Sequence, residues 1–172
     1  MAGDRSTSQI LKCFAPITRP TTRVLILGSL PGEVSLERRQ YYAHPQNQFW
    51  RLVGAVIAQE LVSLDYNTRL SQLLDHGIGL WDTVAAGTRS GSSLDADIDL
   101  QQSSDLTAMM TTLPELQSIA FNGKKSAQIG RPLLLNAREV DLIDLPSSSP
   151  AHATLSFDKK LEAWSALRPY LK

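Results

Sequence analysis

Four consecutive apolar residues, Val24-Leu25-Ile26-Leu27, run without a polar break into the turn Gly28-Ser29-Leu30-Pro31-Gly32. A strand with no polar alternation has no face to offer water, so it belongs inside a sheet that is covered on both sides. Three more short apolar segments, at 78–84, 118–121 and 140–145, repeat the pattern. Helical sequence separates them. Phe49, Leu52, Val53, Val56 and Ile57 fall on one face of a helix predicted from about 48 to 59. Asp65 can cap a second helix that runs to about His76, with Gly77 as its stop. Further helices are expected near 104–112, 124–135 and 157–171. Strands joined by helical crossovers predict an α/β fold, a three-layer α/β/α sandwich around a central four-stranded, mostly parallel sheet.

At 172 residues the chain suits a single domain, expected over 23–172, behind an irregular lead-in over 1–22 that packing can partly order. One cysteine, Cys13, rules out an internal disulfide and a cysteine-based zinc cluster. No run approaches the roughly 18 apolar residues of a membrane span, so a cytoplasmic monomer is the default expectation. Net charge is zero, which by itself argues against a nucleic-acid partner. The distribution softens that objection. Residues 1–60 hold seven Lys/Arg against four Asp/Glu, residues 61–118 two against eight, and residues 119–172 eight against five. If the two basic ends meet in the fold, they form a modest surface for phosphates; the alternative is scattered, solvated charge.

In a parallel sheet the working loops lie beyond the carboxyl ends of the strands. Four loops are selected here: the turn at 28–32 with the stretch Tyr41-Tyr42-Ala43-His44-Pro45-Gln46-Asn47-Gln48-Phe49-Trp50, a turn around Trp81-Asp82-Thr83, Asn122-Gly123-Lys124-Lys125, and Leu145-Pro146-Ser147-Ser148-Ser149-Pro150-Ala151-His152-Ala153. Gly28 and Gly32 permit close backbone approach, and Pro31 stiffens the turn. Tyr42 can stack on a planar base or pack beneath its loop. Asn47 can hold a water or cap the helix that follows. The Ser147–Ser149 hydroxyls and backbone amides suit a phosphate, or form a plain serine-proline turn. His44 and His152 can each be simple hydrogen-bonders. Phe49 and Trp50 read as core and loop support.

These residues resemble the uracil-DNA glycosylase superfamily. The match is carried by Gly28, Pro31, Gly32, Ala43, His44, Pro45, Asn47, Phe49 and Trp50, by Phe121-Asn122-Gly123-Lys124, and by the serine-rich loop, over about 23–170. The first turn departs from the mismatch-specific and thymine-DNA glycosylase branch: Leu30 stands where that branch has its catalytic asparagine. Gly-Ser-Leu-Pro with Tyr-Tyr-Ala-His-Pro-x-Asn-x-Phe-Trp is instead similar to the hypoxanthine-DNA glycosylase group. The resemblance implies a monofunctional hydrolase of base-excision repair, acting on double- or single-stranded DNA that carries a damaged base, hypoxanthine above all.

It also implies the site. Asn47 would hold the attacking water, with His152 as a second catalytic group or a phosphate contact. Tyr42 would stack on the flipped base, and Gly28, Ser29 and Asn122 would contact its edge. Ser147, Ser148 and Ser149 would clamp phosphates, supported by Pro31, Gly32, His44, Phe49 and Trp50. No metal or cofactor is expected. No lysine falls in the water-positioning loop, and Lys124 as a Schiff-base nucleophile is the minority alternative.

Three rival readings stay open at this point. One is a uracil or mismatch (G:U, G:T) glycosylase. Another is a small-molecule α/β hydrolase with Ser29 as nucleophile, His44 or His152 as base and Asp82 as acid. The third is a catalytically silent DNA-binding relative, which Leu30 makes conceivable.

Overall fold

The computed structural model describes residues 9–91 and 93–172. In chain order the elements are β1 (Leu11–Lys12), β2 (Val24–Gly28), α1 (Glu33–Arg38), α2 (Phe49–Val56), α3 (Tyr66–Asp75), β3 (Ile78–Asp82), β4 (Val84–Arg89), β5 (Ile98–Ser103), α4 (Leu106–Thr111), β6 (Ser118–Asn122), α5 (Lys124–Leu133), β7 (Asp141–Leu145) and α6 (Phe157–Trp164). A 3-10 turn at Asp95–Asp97 leads into β5, and another at Ser165–Tyr170 follows α6.

Every residue of β2 is buried, as its unbroken apolar sequence requires. The strand alternates between two cores. Val24 and Ile26 face a cluster built with Phe49, Leu52, Leu73 and Trp164, while Leu25 and Leu27 face one built with Leu106, Met110 and Ala127. Helices α2, α3 and α6 therefore cover one face of the sheet, and α4 and α5 cover the other. The sheet itself runs β3-β2-β6-β7, with all three neighbouring pairs parallel. That is the three-layer α/β/α sandwich with a four-stranded parallel sheet.

The segment 78–84, expected as one strand, is divided. β3 ends at Asp82, and at Val84 the chain enters a second, antiparallel sheet of order β1-β4-β5. The break has a local cause. The Thr83 and Val84 N–H groups donate to the carbonyls of Gly28 and Ser29, which carries the backbone along the first turn and away from the parallel sheet. Within the lead-in, β1 pairs with β4, and Ile17 forms an antiparallel bridge with Leu80. The helices are shorter than their periodicity suggests. α2 stops at Val56, α5 at Leu133 and α6 at Trp164, and α1 adds six residues directly after Gly32.

Helix α5 approaches the sheet through Gly130. A Cβ there would lie 2.4 Å from Phe121 Cε1 and 3.0 Å from Thr83 Cγ2, and both of those residues are fully buried. Alanine is the better helix former by about 1 kcal/mol, but overpacking a rigid core costs about 1–3 kcal/mol. Gly130→Ala is therefore expected to be net destabilising, seen as a lower urea midpoint with an unchanged slope.

Candidate functional site

Because β2, β3, β6 and β7 are parallel, their carboxyl ends Gly28, Asp82, Asn122 and Leu145 meet along one edge of the sheet. A cavity of about 340 Å³ opens there. Its walls hold most of the residues singled out from the sequence: Gly28, Ser29, Pro31, Gly32, Tyr42, His44, Asn47, Asn122, Ser147, Ser148 and Ser149.

The two tyrosines have different jobs. Tyr41 is buried beneath the loop, with its hydroxyl donating to the Ala15 carbonyl and its ring edge-on to Phe14. Tyr42 takes a left-handed backbone (φ 54°) and stacks on Phe49, with centroids 3.8 Å apart and planes within 12°. Phe49 thus covers one ring face, and Tyr42 borders the cavity with the remainder. Phe49 is in turn held edge-on by Trp50 and by Trp164 of α6, so the platform rests on the core. The Tyr42 hydroxyl is buried and makes no hydrogen bond of normal geometry, although the Asn122 amide lies near enough to oppose the upward push that burial gives its pKa.

Asn47 accepts the Phe49 N–H at 2.9 Å through Oδ1. The bond ties off the start of α2 and fixes the side-chain amide, leaving one lone pair on the oxygen for a water. His44 sits exposed at the rim, where its Nδ1 accepts the Gln46 N–H and its carbonyl accepts the Asn47 N–H. It shapes the loop that carries Asn47.

Asn122 is paired with Ser148. Its Nδ2 donates to Ser148 Oγ and its Oδ1 accepts the Ser148 N–H, each at 2.9 Å, while the Ser148 carbonyl accepts the Gln48 N–H. Asn122 is a brace, and beyond these two bonds its amide keeps one N–H and one oxygen lone pair beside the Tyr42 hydroxyl and the cavity. Ser148 is buried with it, so the hydroxyls that remain near the surface are those of Ser147 and Ser149. Each of these accepts a backbone N–H two residues on and keeps its own proton free to donate.

The first turn is held from behind. Arg89, buried on β4, donates to the carbonyls of Leu30 and Pro31 at 2.8 and 2.6 Å and lies 3.5 Å from Asp95. The Ser29 hydroxyl donates to Asp95 at 2.6 Å. That proton is thus given to a carboxylate, and the nucleophile–imidazole pair that a Ser29 hydrolase needs is not formed. Leu30 lies in a small apolar cluster with Val84 and Ile98. Gly32 has an ordinary φ of −76° and room for a Cβ, so its backbone makes no demand for glycine. Gly28 does: a Cβ there would meet Asp82 Oδ1 at 2.5 Å and the Tyr42 hydroxyl at 3.1 Å.

Asp82 is the site residue that sequence reasoning passed over, naming it only as a nominal acid for Ser29. It ends β3, borders the cavity, and has a buried Oδ2 with no hydrogen-bond partner. Burial, reinforced by Asp95 and opposed by Arg89, pushes its pKa up to about 7. The available signal was the lone acid at the carboxyl end of an apolar strand, but its burial came only with the Gly28 and Tyr42 contacts.

His152 stands apart from the tyrosine and Asn47. It borders a second, larger cavity of about 1050 Å³ that shares Ser147, Ser149, Asp95 and Leu94 with the first. Lys124, Lys125 and Arg131 of α5 also border it, so the basic C-terminal third of the chain reaches the site from this side. Among the described residues, no helix is long and apolar enough to cross a membrane.

Comparison with known proteins adds a lineage to this geometry. The family model of the uracil DNA glycosylase superfamily matches residues 15–168. A hypoxanthine DNA glycosylase of Methanosarcina barkeri is 44% identical over 115 residues, covering 67% of this chain and 72% of the relative. A second, from Methanosarcina acetivorans, is 38% identical over 158 residues, covering 92% and 98%. A solution NMR structure from Methanosarcina acetivorans, provisionally named a uracil DNA glycosylase, superposes with a TM-score of 0.84 at 36% identity, over 94% of this chain and 99% of that one.

The buried Asp82 predicts a pH-dependent stability. An unfolded aspartate loses its proton near pH 4, and the folded one keeps it until about 7. The contribution of Asp82 to stability is thus fully present below about pH 4 and is lost as pH rises through 7. Asp82→Asn removes that loss. The variant is expected to exceed the wild type by about 4 kcal/mol at pH 8, with the gap closing towards pH 4, in urea denaturation at the two pH values.

Proposed function

Since the chain belongs to the uracil DNA glycosylase superfamily, we propose that it is a monofunctional DNA glycosylase acting on hypoxanthine, the base of deoxyinosine, flipped out of DNA. One observation carries the substrate class best: a cavity at the lower end of ligand-site volumes, walled by an aromatic ring that rests on the core and rimmed by a serine loop. The names borne by the two Methanosarcina relatives support the choice of base.

In this reading the flipped purine stacks on the Tyr42 ring face opposite Phe49. Extrusion costs a few kcal/mol, least for a poorly paired base such as hypoxanthine in a mispair. Bond cleavage develops positive charge on the sugar, as in O-glycoside hydrolysis. Asn47 holds the water that captures C1′, using the lone pair left by its bond to Phe49 N–H. A neutral amide is a weak base, so positioning and the surrounding field provide the acceleration. Ser147 and Ser149 hold a phosphate beside the flipped nucleotide, and Lys124, Lys125 and His152 hold the strand along the second cavity. Hydrolysis leaves an abasic site without cutting the strand, and the protein acts as a monomer.

The test is a set of labelled duplexes with one hypoxanthine, uracil or xanthine, followed by alkaline cleavage of abasic sites. Release of hypoxanthine, with strand breaks only after alkali, is expected. Release from none of them with DNA binding intact would leave a binding protein without chemistry. Asn47→Ala is expected to slow excision by about 10²–10³-fold, the loss typical of a key positioned donor or acceptor, with a thermal midpoint only slightly lowered by the lost cap. Wild-type rates in that variant would remove Asn47 from the mechanism. Tyr42→Ala is expected to weaken binding of deoxyinosine duplex by about 5- to 150-fold, the worth of one stacked base, with undamaged duplex bound nearly as before. Equal losses on both duplexes would make Tyr42 a loop support.

A further inference from the structure

We propose that Asp82 is the general acid of this site, passing its carboxyl proton to N7 of the departing purine. The inference rests on the reading of the cavity as a purine site.

Its geometry is unusual for a carboxyl group. Asp82 is buried, with 4% of its surface exposed, yet it borders the cavity and leaves Oδ2 without a hydrogen-bond donor. An ionised carboxylate in that position would lack both water and a partner, a costly state. A protonated one has a donor to give, and the cavity is where a ligand could take it. Gly28 allows the approach, since any side chain there would meet Oδ1.

The surrounding charges maintain the proton. Asp95, on the turn before β5, raises the Asp82 pKa, and Arg89 on β4 lowers it by less than burial raises it. From the aromatic loop Tyr41 and Tyr42 face it, and from the lead-in Cys13. Burial, reinforced by the negative charge of Asp82, pushes the pKa of each of these three upward, so all three are neutral partners. A value of about 7 is close to that of an ideal acid catalyst at neutral pH.

The step balances. As the C1′–N9 bond breaks, its electron pair stays on the base while the Asp82 proton moves to N7, so hypoxanthine leaves as a neutral tautomer. Water bonds to C1′, and the proton it sheds returns to the Asp82 carboxylate directly or through solvent. The products are free hypoxanthine and an abasic deoxyribose, with the enzyme restored. The other groups near Asp82 are committed: the Ser29 hydroxyl donates to Asp95, the Asn122 amide braces Ser148, and the burial of the Tyr42 phenol holds its proton tightly.

The experiment is single-turnover excision from deoxyinosine duplex between pH 5.5 and 9, for the wild type and Asp82→Asn, with duplex binding and thermal melting measured alongside. The wild-type rate is expected to fall about tenfold per pH unit above about 7. Asp82→Asn is expected to lose about 10²–10⁴-fold in rate and to lose that alkaline fall, while still melting cooperatively and binding the duplex. A duplex carrying 7-deaza-deoxyinosine, which has no N7 acceptor, should compete for binding and release no base. Asp82→Asn rates within about threefold of wild type would overturn the proposal. So would a slow variant that keeps the wild-type pH profile, because Asp82 would then only position the base. Release of the 7-deaza base at the deoxyinosine rate would exclude N7 as the acceptor. A wild-type protein inert on deoxyinosine at every pH would instead overturn the glycosylase reading on which this inference stands.

Discussion

The pair of hydrogen bonds between Asn122 and Ser148 is the joint on which the site depends. Asn122 is the last residue of β6, and Ser148 lies in the loop after β7, 26 positions later. The Ser148 carbonyl then takes the Gln48 N–H, so the stretch that carries Tyr42 and Asn47 is tied to the same residue. One buried serine thus connects three of the four loops at the carboxyl edge. All of its backbone and side-chain groups named here are used inside the protein, which matches the cost of leaving any of them unpaired. The Trp164 indole N–H adds a parallel tie to the Pro146 carbonyl while its ring steadies Phe49. The aromatic loop, the end of β6 and the serine loop are therefore tied to one another, the kind of support that precise positioning of site residues requires.

The fourth loop is governed by charge. A site for DNA bases sits beside phosphates, and two acids in it would repel the substrate if both were bare. The structure deals with each differently. Asp95 is offset by the Arg89 guanidinium and by the Ser29 hydroxyl, and burial pushes the Asp82 pKa up to about 7, favouring its neutral form. The acidic block at 61–118 is thereby muted where it meets the cavity. The basic side chains Lys124, Lys125 and Arg131 come from the other side of the sheet edge. A net charge of zero is consistent with a DNA-directed surface because the two signs are separated by position and protonation.

Much of this arrangement was legible in the sequence because it follows from periods and punctuation. The apolar runs at 24–27 and 118–121 could only be central parallel strands, and the rule of carboxyl ends then selected the loops. What stayed hidden depended on contacts between distant residues. The hairpin of β4 and β5, Val84–Arg89 and Ile98–Ser103, has few apolar residues and no clean alternation, so it resembles loop until Arg89 is seen reaching the first turn. Asn122 was visible as a polar residue at a strand end, but its bracing of Ser148, 26 residues away, was not. Nor could His152 be separated from the aromatic loop without knowing that the serine turn leads it into the neighbouring cavity. Asp82 was visible only as a nominal partner for Ser29, since its raised pKa comes from burial.

Leu30 shows how a substitution in a catalytic turn can be structural and chemical at once. In the related branch an asparagine there orients water. Here the side chain is buried against Val84 and Ile98, so the turn gains an apolar anchor into the second sheet. The same sheet sends Arg89 back to the Leu30 and Pro31 carbonyls, which holds the turn in shape without any polar side chain at position 30. With that anchor in place, the proposed water-holder is Asn47, whose amide is already oriented by its bond to Phe49 N–H. The proposed acid likewise lies outside the turn, on the Asp82 carboxyl that Gly28 leaves room for. Exchange of one polar residue for an apolar one thus ties the turn to the second sheet, and the proposed mechanism then assigns the water to Asn47 on the aromatic loop and the leaving group to Asp82, a division of labour suited to a purine with a basic ring nitrogen.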